Sequence, residues 1–246
     1  MHPRSRGKLR GMILAAVTSL LYAAAVSLSP ASDKKDIPTV RWDEQNPGCT
    51  FSRGADGKLR YGLWSGDIGL TLAVDAQELE KVHRRHEPFF AVLLDVHYRG
   101  PQTLKLKLDK ISLEFVKHFQ VEQWALDPDE FSEKIQNDSD ALNDETAREV
   151  KKNPEKKEER EAYLRAYLKD SAELQEFVGK NSLPAELGTE HQATSGWVLF
   201  SSRNKWIGAW KKQEEFILRI SLNGKLFEFP FTLPPKPGEV ILRKRE

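Results

Sequence analysis

The side chains best suited to chemistry gather between residues 83 and 97. His83, Arg84, Arg85, His86 and Glu87 form the densest ionisable cluster, and Asp95 and His97 follow closely. Imidazole is a common metal ligand and titrates near neutral pH. His83, His86 and His97, with Glu87 or Asp95, would therefore suit a metal-assisted enzyme if the rings converged in a cleft. The spacing matches no helical metalloprotease motif, and Arg84 and Arg85 repel a cation. A solvated loop ahead of a strand is the expectation. Asp95 and His97 share a strand face, which would orient an imidazole or simply end a buried strand in water; the second is expected.

Nucleophile motifs fare no better. Gly62-Leu63-Trp64-Ser65-Gly66 lacks the spacing of a nucleophile elbow, and the Ser202 to Lys205 spacing falls in a turn without companion motifs. There is no phosphate-binding glycine loop, so no cofactor is expected. Asn137-Asp138-Ser139 is a lone glycosylation sequon. Trp197, Trp206 and Trp210 are the candidates for a binding platform. Trp206 and Trp210 share strand parity across Gly208, so an exposed shelf for a carbohydrate-like ligand is one reading. Core filling is the other, and the one preferred.

The elements that must position these residues are easiest to read at residues 216–231. Asn223-Gly224 separates two apolar-alternating runs and is the strongest short-range signal for a two-residue hairpin turn. It sets Leu222 against Lys225, Ile220 against Phe227, Leu218 against Phe229 and Phe216 against Phe231, with Arg219 opposite Glu228 on the other face. A one-residue slip would expose the phenylalanines. Pro230 cannot donate to a ladder and implies an edge near the end of that strand.

Residues 89–98 are apolar on both faces: Phe90, Val92, Leu94, Val96 and Tyr98 on one, Phe89, Ala91 and Leu93 on the other. Such a strand needs cover on both sides. Leu70, Leu72 and Val74 mark a half-buried strand, and Gly54-Ala55-Asp56-Gly57 a turn. The apolar phase changes between Leu108 and Ile111, which implies a turn or bulge at Asp109-Lys110.

Asp127-Pro128-Asp129-Glu130 combines a cap, a first-turn proline and a third-position glutamate, so a helix opens there. Asn153-Pro154 offers a second start. Leu164, Tyr167, Leu168, Ser171, Leu174 or Gln175, and Val178 form a stripe at helical spacing, with Gly179 as the expected C-cap. Residues 127–180 carry sixteen acidic and ten basic side chains. The stretch 138–161 is nearly devoid of large apolar residues and is expected to be solvated or mobile. The apolar stripe and the uncovered strand face are predicted to meet.

Arg4, Arg6, Lys8 and Arg10 precede a charge-free run over residues 11–32, the pattern of a secretory signal peptide or, left uncleaved, a membrane anchor. Both place the rest of the chain outside the cytoplasm. The single Cys49 leaves no disulfide framework, and a formal charge of +1 gives no field for nucleic acid. The organisation expected is a signal peptide or anchor over 1–32, a lead-in over 33–48, and a β-sandwich in two parts, 49–126 and 182–235. A charged helical insertion over 127–181 interrupts it, and a basic tail over 236–246 follows.

The strand PFFAVLLDVHY, then SGWVLF and the closing FILRISLNGKLFEFPFTLPP, resemble secreted bacterial immunoglobulin-like sandwich domains. The resemblance covers residues 49–125 and 182–233, implies a mainly β, antiparallel immunoglobulin-like fold, and carries no shared catalytic residues. The function expected is a non-enzymatic, extracytoplasmic one, with the arm (Leu164, Tyr167, Leu168) contacting another envelope protein. The alternatives are a carbohydrate-like ligand on Trp206 and Trp210, and a metal-assisted enzyme at His83, His86 and His97. The membrane is a partner only if the N-terminal segment is retained.

Overall fold

A computed structural model of the chain describes residues 37–75, 89–118, 121–184, 186–188, 191–201 and 213–234. In chain order the strands are β1 (Thr39–Arg41), β2 (Cys49–Arg53), β3 (Leu59–Ser65), β4 (Ile68–Val74), β5 (Phe89–Tyr98), β6 (Leu104–Lys105), β7 (Ile111–Phe115) and β8 (Val121–Trp124). Helices α1 (Pro128–Lys152) and α2 (Lys157–Asn181) follow, then β9 (Glu186–Leu187), β10 (Ala193–Ser201), β11 (Glu214–Leu222) and β12 (Lys225–Leu233). The protein is mainly β. One sheet runs β1-β12-β11-β7-β8, a second β10-β5-β4-β3-β2, and β6 pairs with β9. The facing sides of the two large sheets build one apolar cluster, in which Leu63, Leu72 and Leu94 of the second meet Leu113, Leu218 and Phe229 of the first.

The closing hairpin sets the geometry of the first sheet. Asn223 and Gly224 take φ of 50° and 71°, the left-handed values the tight turn requires. The register is the one the turn dictates, Leu222 to Lys225 through Phe216 to Phe231. Phe216 stacks on Phe90 and Phe231, at 5.7 and 5.2 Å between centroids, and meets Phe115 edge-on at 5.2 Å. Pro230 lies beyond the last β1 partner, Glu228, on the edge of β12 that β1 covers only at residues 226–228. Its missing donor therefore costs no ladder bond. β1 corrects the lead-in expected over 33–48. Three residues are too short to show alternation, yet they pair in parallel with β12.

On the outward side of this sheet the expected Arg219–Glu228 pair is part of a longer network. Arg219 Nε donates to Glu228 (3.0 Å), whose other oxygen meets Arg41 (2.6 Å). Arg219 also pairs with the buried Glu114 and approaches Glu122 at 3.9 Å. Glu122 in turn accepts from Ser112 Oγ at 2.5 Å. The register of β11 between β12 and β7 makes this possible, because Arg219 lies opposite both Glu228 and Ser112.

The change of phase before β7 is a single 3-10 turn, Leu108–Lys110. Asp127 caps α1, its carboxylate accepting from the amides of Asp129 (2.9 Å) and Glu130 (3.1 Å). The stretch 138–161 is solvated, as expected, with only Ser139 and Thr146 buried, but it is regular helix: α1 continues to Lys152 and turns at Pro154–Lys156 into α2. Ser139 and Thr146 supply the buried side of this helix where large apolar groups are lacking. Gly179 is not the cap either, since α2 runs on to Asn181 and Ser182 closes it.

Candidate functional site

The helical pair is rooted by a second apolar cluster, separate from the one between the sheets. Phe89, Ala91 and Leu199 supply the sheet side, Phe131 and Ile135 come from α1, and Leu174 and Val178 from α2. The second face of β5 is thus covered by the helical stripe, as its composition required. Both ends of the pair are tied to β10: Leu126 N donates to Leu199 O (2.8 Å) and Leu183 N to Trp197 O (3.3 Å). Gly196 permits the second approach, since a Cβ there would lie 2.4 Å from Leu183 Cα.

Beyond the root, the named core side chains give way to polar ones. The Ser139 and Ser171 hydroxyls lie 3.0 Å apart between the helices, and Arg160 meets Glu149 at 2.9 Å nearer the far end. Of the three residues expected on the arm, Tyr167 is buried in the seam, Leu164 is half-buried and Leu168 is exposed. Leu168 therefore does not belong to the buried stripe. Tyr163, which sequence reading passed over, is exposed beside Tyr167.

Burial pushes the Tyr167 phenol above its ordinary value, and the nearby Asp138 carboxylate adds to the shift. The folded pKa then exceeds the unfolded one, about 10. Its contribution to stability is complete below about pH 10 and is lost as pH rises through the folded value. Melting followed by circular dichroism above about pH 10 should show falling stability, and Tyr167→Phe should weaken that dependence. An unchanged alkaline profile in the phenylalanine variant would remove Tyr167 as its source.

The helices leave part of the second sheet's outer face open. Asp95 and His97 do share this face, but neighbouring strands separate their roles. Ser195 Oγ donates to Asp95 at 2.5 Å, so that hydroxyl is engaged by a carboxylate. His97 lies beside Trp64, rings stacked at 6.2 Å and 29°. Trp64 rests on Gly69, where an added Cβ would sit 2.5 Å from two indole carbons. The Arg99 guanidinium lies over the same ring, 4.5 Å from its centroid. The sequence signal for this platform is the two-residue turn Gly66-Asp67, which pairs Ser65 with Ile68 and so Trp64 with Gly69.

Trp197 is half-buried where the helices join the sheet, with Phe177 at 5.9 Å and the Lys58 ammonium at 5.3 Å. Trp206, Trp210, His83 and His86 lie outside the described residues, as do residues 1–32. Among the described residues no group of three His, Cys, Asp or Glu is placed to hold a metal ion. No helix among them is long and apolar enough to cross a membrane. Set against family models, curated proteins and solved structures, the chain matches none.

Proposed function

We propose that the protein is a non-enzymatic, extracytoplasmic immunoglobulin-like β-sandwich in which the helical insertion, residues 127–181, mediates protein interaction or assembly. The observation that carries this reading is the anchoring of the arm. Two 25-residue helices are held to the sheet through Phe131, Ile135, Leu174 and Val178. Their surface presents charge together with the exposed Tyr163 and Leu168. Paired helices projecting from a rigid sheet offer a long surface at a small cost in core.

The immunoglobulin-like part of the reading is supported by β1 running parallel to β12 beside the β11–β12 hairpin, and by β7 pairing with the other side of the central β11. The extracytoplasmic part rests on the basic stretch Arg4 to Arg10 and the charge-free run after it. The partner expected is another envelope protein.

The test is in situ crosslinking in the cell envelope, comparing the intact chain with one whose residues 127–180 are replaced by a short Gly-Ser loop. The shortened chain must first show a cooperative melt. A defined crosslinked species that disappears with the arm is the expected result. The same species captured by both chains would overturn the reading.

A further inference from the structure

Beside the helical pair, the outer face of the second sheet carries a strip of small polar side chains. Thr50 pairs with Gly62, Gly62 with Thr71, Thr71 with Asp95 and Asp95 with Ser195. One residue from each strand thus forms a single row across the whole sheet, with the side chains on one face. Neighbouring members are about 4.8 Å apart, the spacing of the strands. Thr50 leans into the space that Gly62 leaves, its Oγ1 2.2 Å from the position a Cβ would take. Larger side chains border the row. Trp64 and His97 stand on one side, and Arg60, Leu93 and Trp197 on the other. The strip is therefore a shallow furrow with hydroxyls along its floor.

The floor is open and its polar groups are only partly engaged. Thr50 and Ser195 are exposed, and Thr71 and Asp95 are half-buried. Ser195 Oγ donates to Asp95 Oδ1 at 2.5 Å. Among the described residues, Asp95 Oδ2 and the hydroxyls of Thr50 and Thr71 make no hydrogen bond. Arg60 is committed elsewhere, through two 2.8 Å bonds to the Asp56 carboxylate. Around the furrow Lys58, Arg60 and Arg99 stand against Asp56, Asp67 and Asp95, so the face has no net field to select an ion. Its floor also lacks the apolar anchor on which a protein partner depends.

We propose that this furrow binds an uncharged, extended oligosaccharide laid across the strands. Balanced charge selects a neutral ligand, and a row of hydroxyls with one carboxylate suits a chain of sugar hydroxyls. Asp95 Oδ2 accepts from them, while Thr50 and Thr71 both donate and accept. Leu93 and the indole of Trp197, both half-buried on the border, meet the C–H faces of the rings. This site is separate from the helical arm, and the proposal goes beyond the interaction reading without resting on it.

Isothermal titration of the full chain with cellohexaose, a neutral and extended hexasaccharide, tests this. Saturable binding with a Kd below about 1 mM is expected. Asp95→Ala should weaken it at least about tenfold, because a charged acceptor is lost. Thr71→Val keeps the shape of the side chain and reads the hydroxyl alone, so a loss of about fivefold is expected. Leu168→Ala, on the arm, should leave the affinity unchanged. No binding at about 10 mM sugar overturns the proposal, and so does an affinity that survives Asp95→Ala. Binding that is unchanged in Asp95→Ala but lost when Trp206 and Trp210 are both replaced by alanine overturns it in favour of a different site. None of these outcomes bears on the arm-dependent crosslink.

Discussion

Replacing Arg219 with methionine is expected to lower the unfolding free energy by about 3–5 kcal/mol, the cost of leaving a buried carboxylate without its cation. The buried group is Glu114, which Arg219 serves together with Glu228. The loss comes from stranding that charge more than from removing an attraction. The double variant Arg219→Met, Glu114→Leu should therefore be more stable than the single one, because no charge is left behind. Urea denaturation at neutral pH measures both. A single variant that loses less than about 1 kcal/mol would mean that the network behaves as a solvated surface array. A double variant no better than the single one would point to the packing of the arginine stem instead.

Leu174→Ala should cost about 2–5 kcal/mol, since the side chain is fully buried and its removal leaves a cavity. The place of the damage is the more informative part. Leu174 belongs to the cluster that joins the helices to β5 and β10, not to the one between the sheets. Amide exchange should therefore accelerate through α1 and α2, while β11 and β12 keep most of their protection. Leu168→Ala, at an exposed position on the same helix, should change stability by no more than about 0.5 kcal/mol. Equal acceleration in the sheets and the helices would show that the root is not an independent unit.

What could be read in advance depended on how local the determining physics was. The β11–β12 register follows from two turn residues and alternating side chains, all within one short stretch, and it was legible in full. The need for a cover on Phe89 and Ala91 was legible too, because a strand apolar on both faces has only one explanation. β1 was not: its three residues carry no pattern, and the partner of Arg41 lies 187 positions away.

The regular order of α1 beyond residue 138 escaped for a different reason. Its seam passes through Ser139 and Thr146, whose hydroxyls do not register as an apolar stripe. At the open sheet face the residues were visible but their grouping was not. Asp95 and His97 are two positions apart on β5, yet Ser195 of β10 and Trp64 of β3 decide what each does. Such cross-strand neighbours are set by tertiary pairing, which no window along the chain contains.

The parallel pairing of β1 with β12 also governs when this protein can finish folding. Synthesis delivers β1, β7 and β8 early, but β11 and β12, which lie between β1 and β7, arrive only with Glu214–Leu233. Until then the first sheet has no middle: β7 can pair only with β8, and β1 and the other edge of β7 wait unpaired. Contacts so distant in sequence slow the final closure, and exposed edges favour pairing with other chains during the delay. The nascent chain thus passes through a long interval in which it can still be held unfolded, and the arrival of one hairpin ends it.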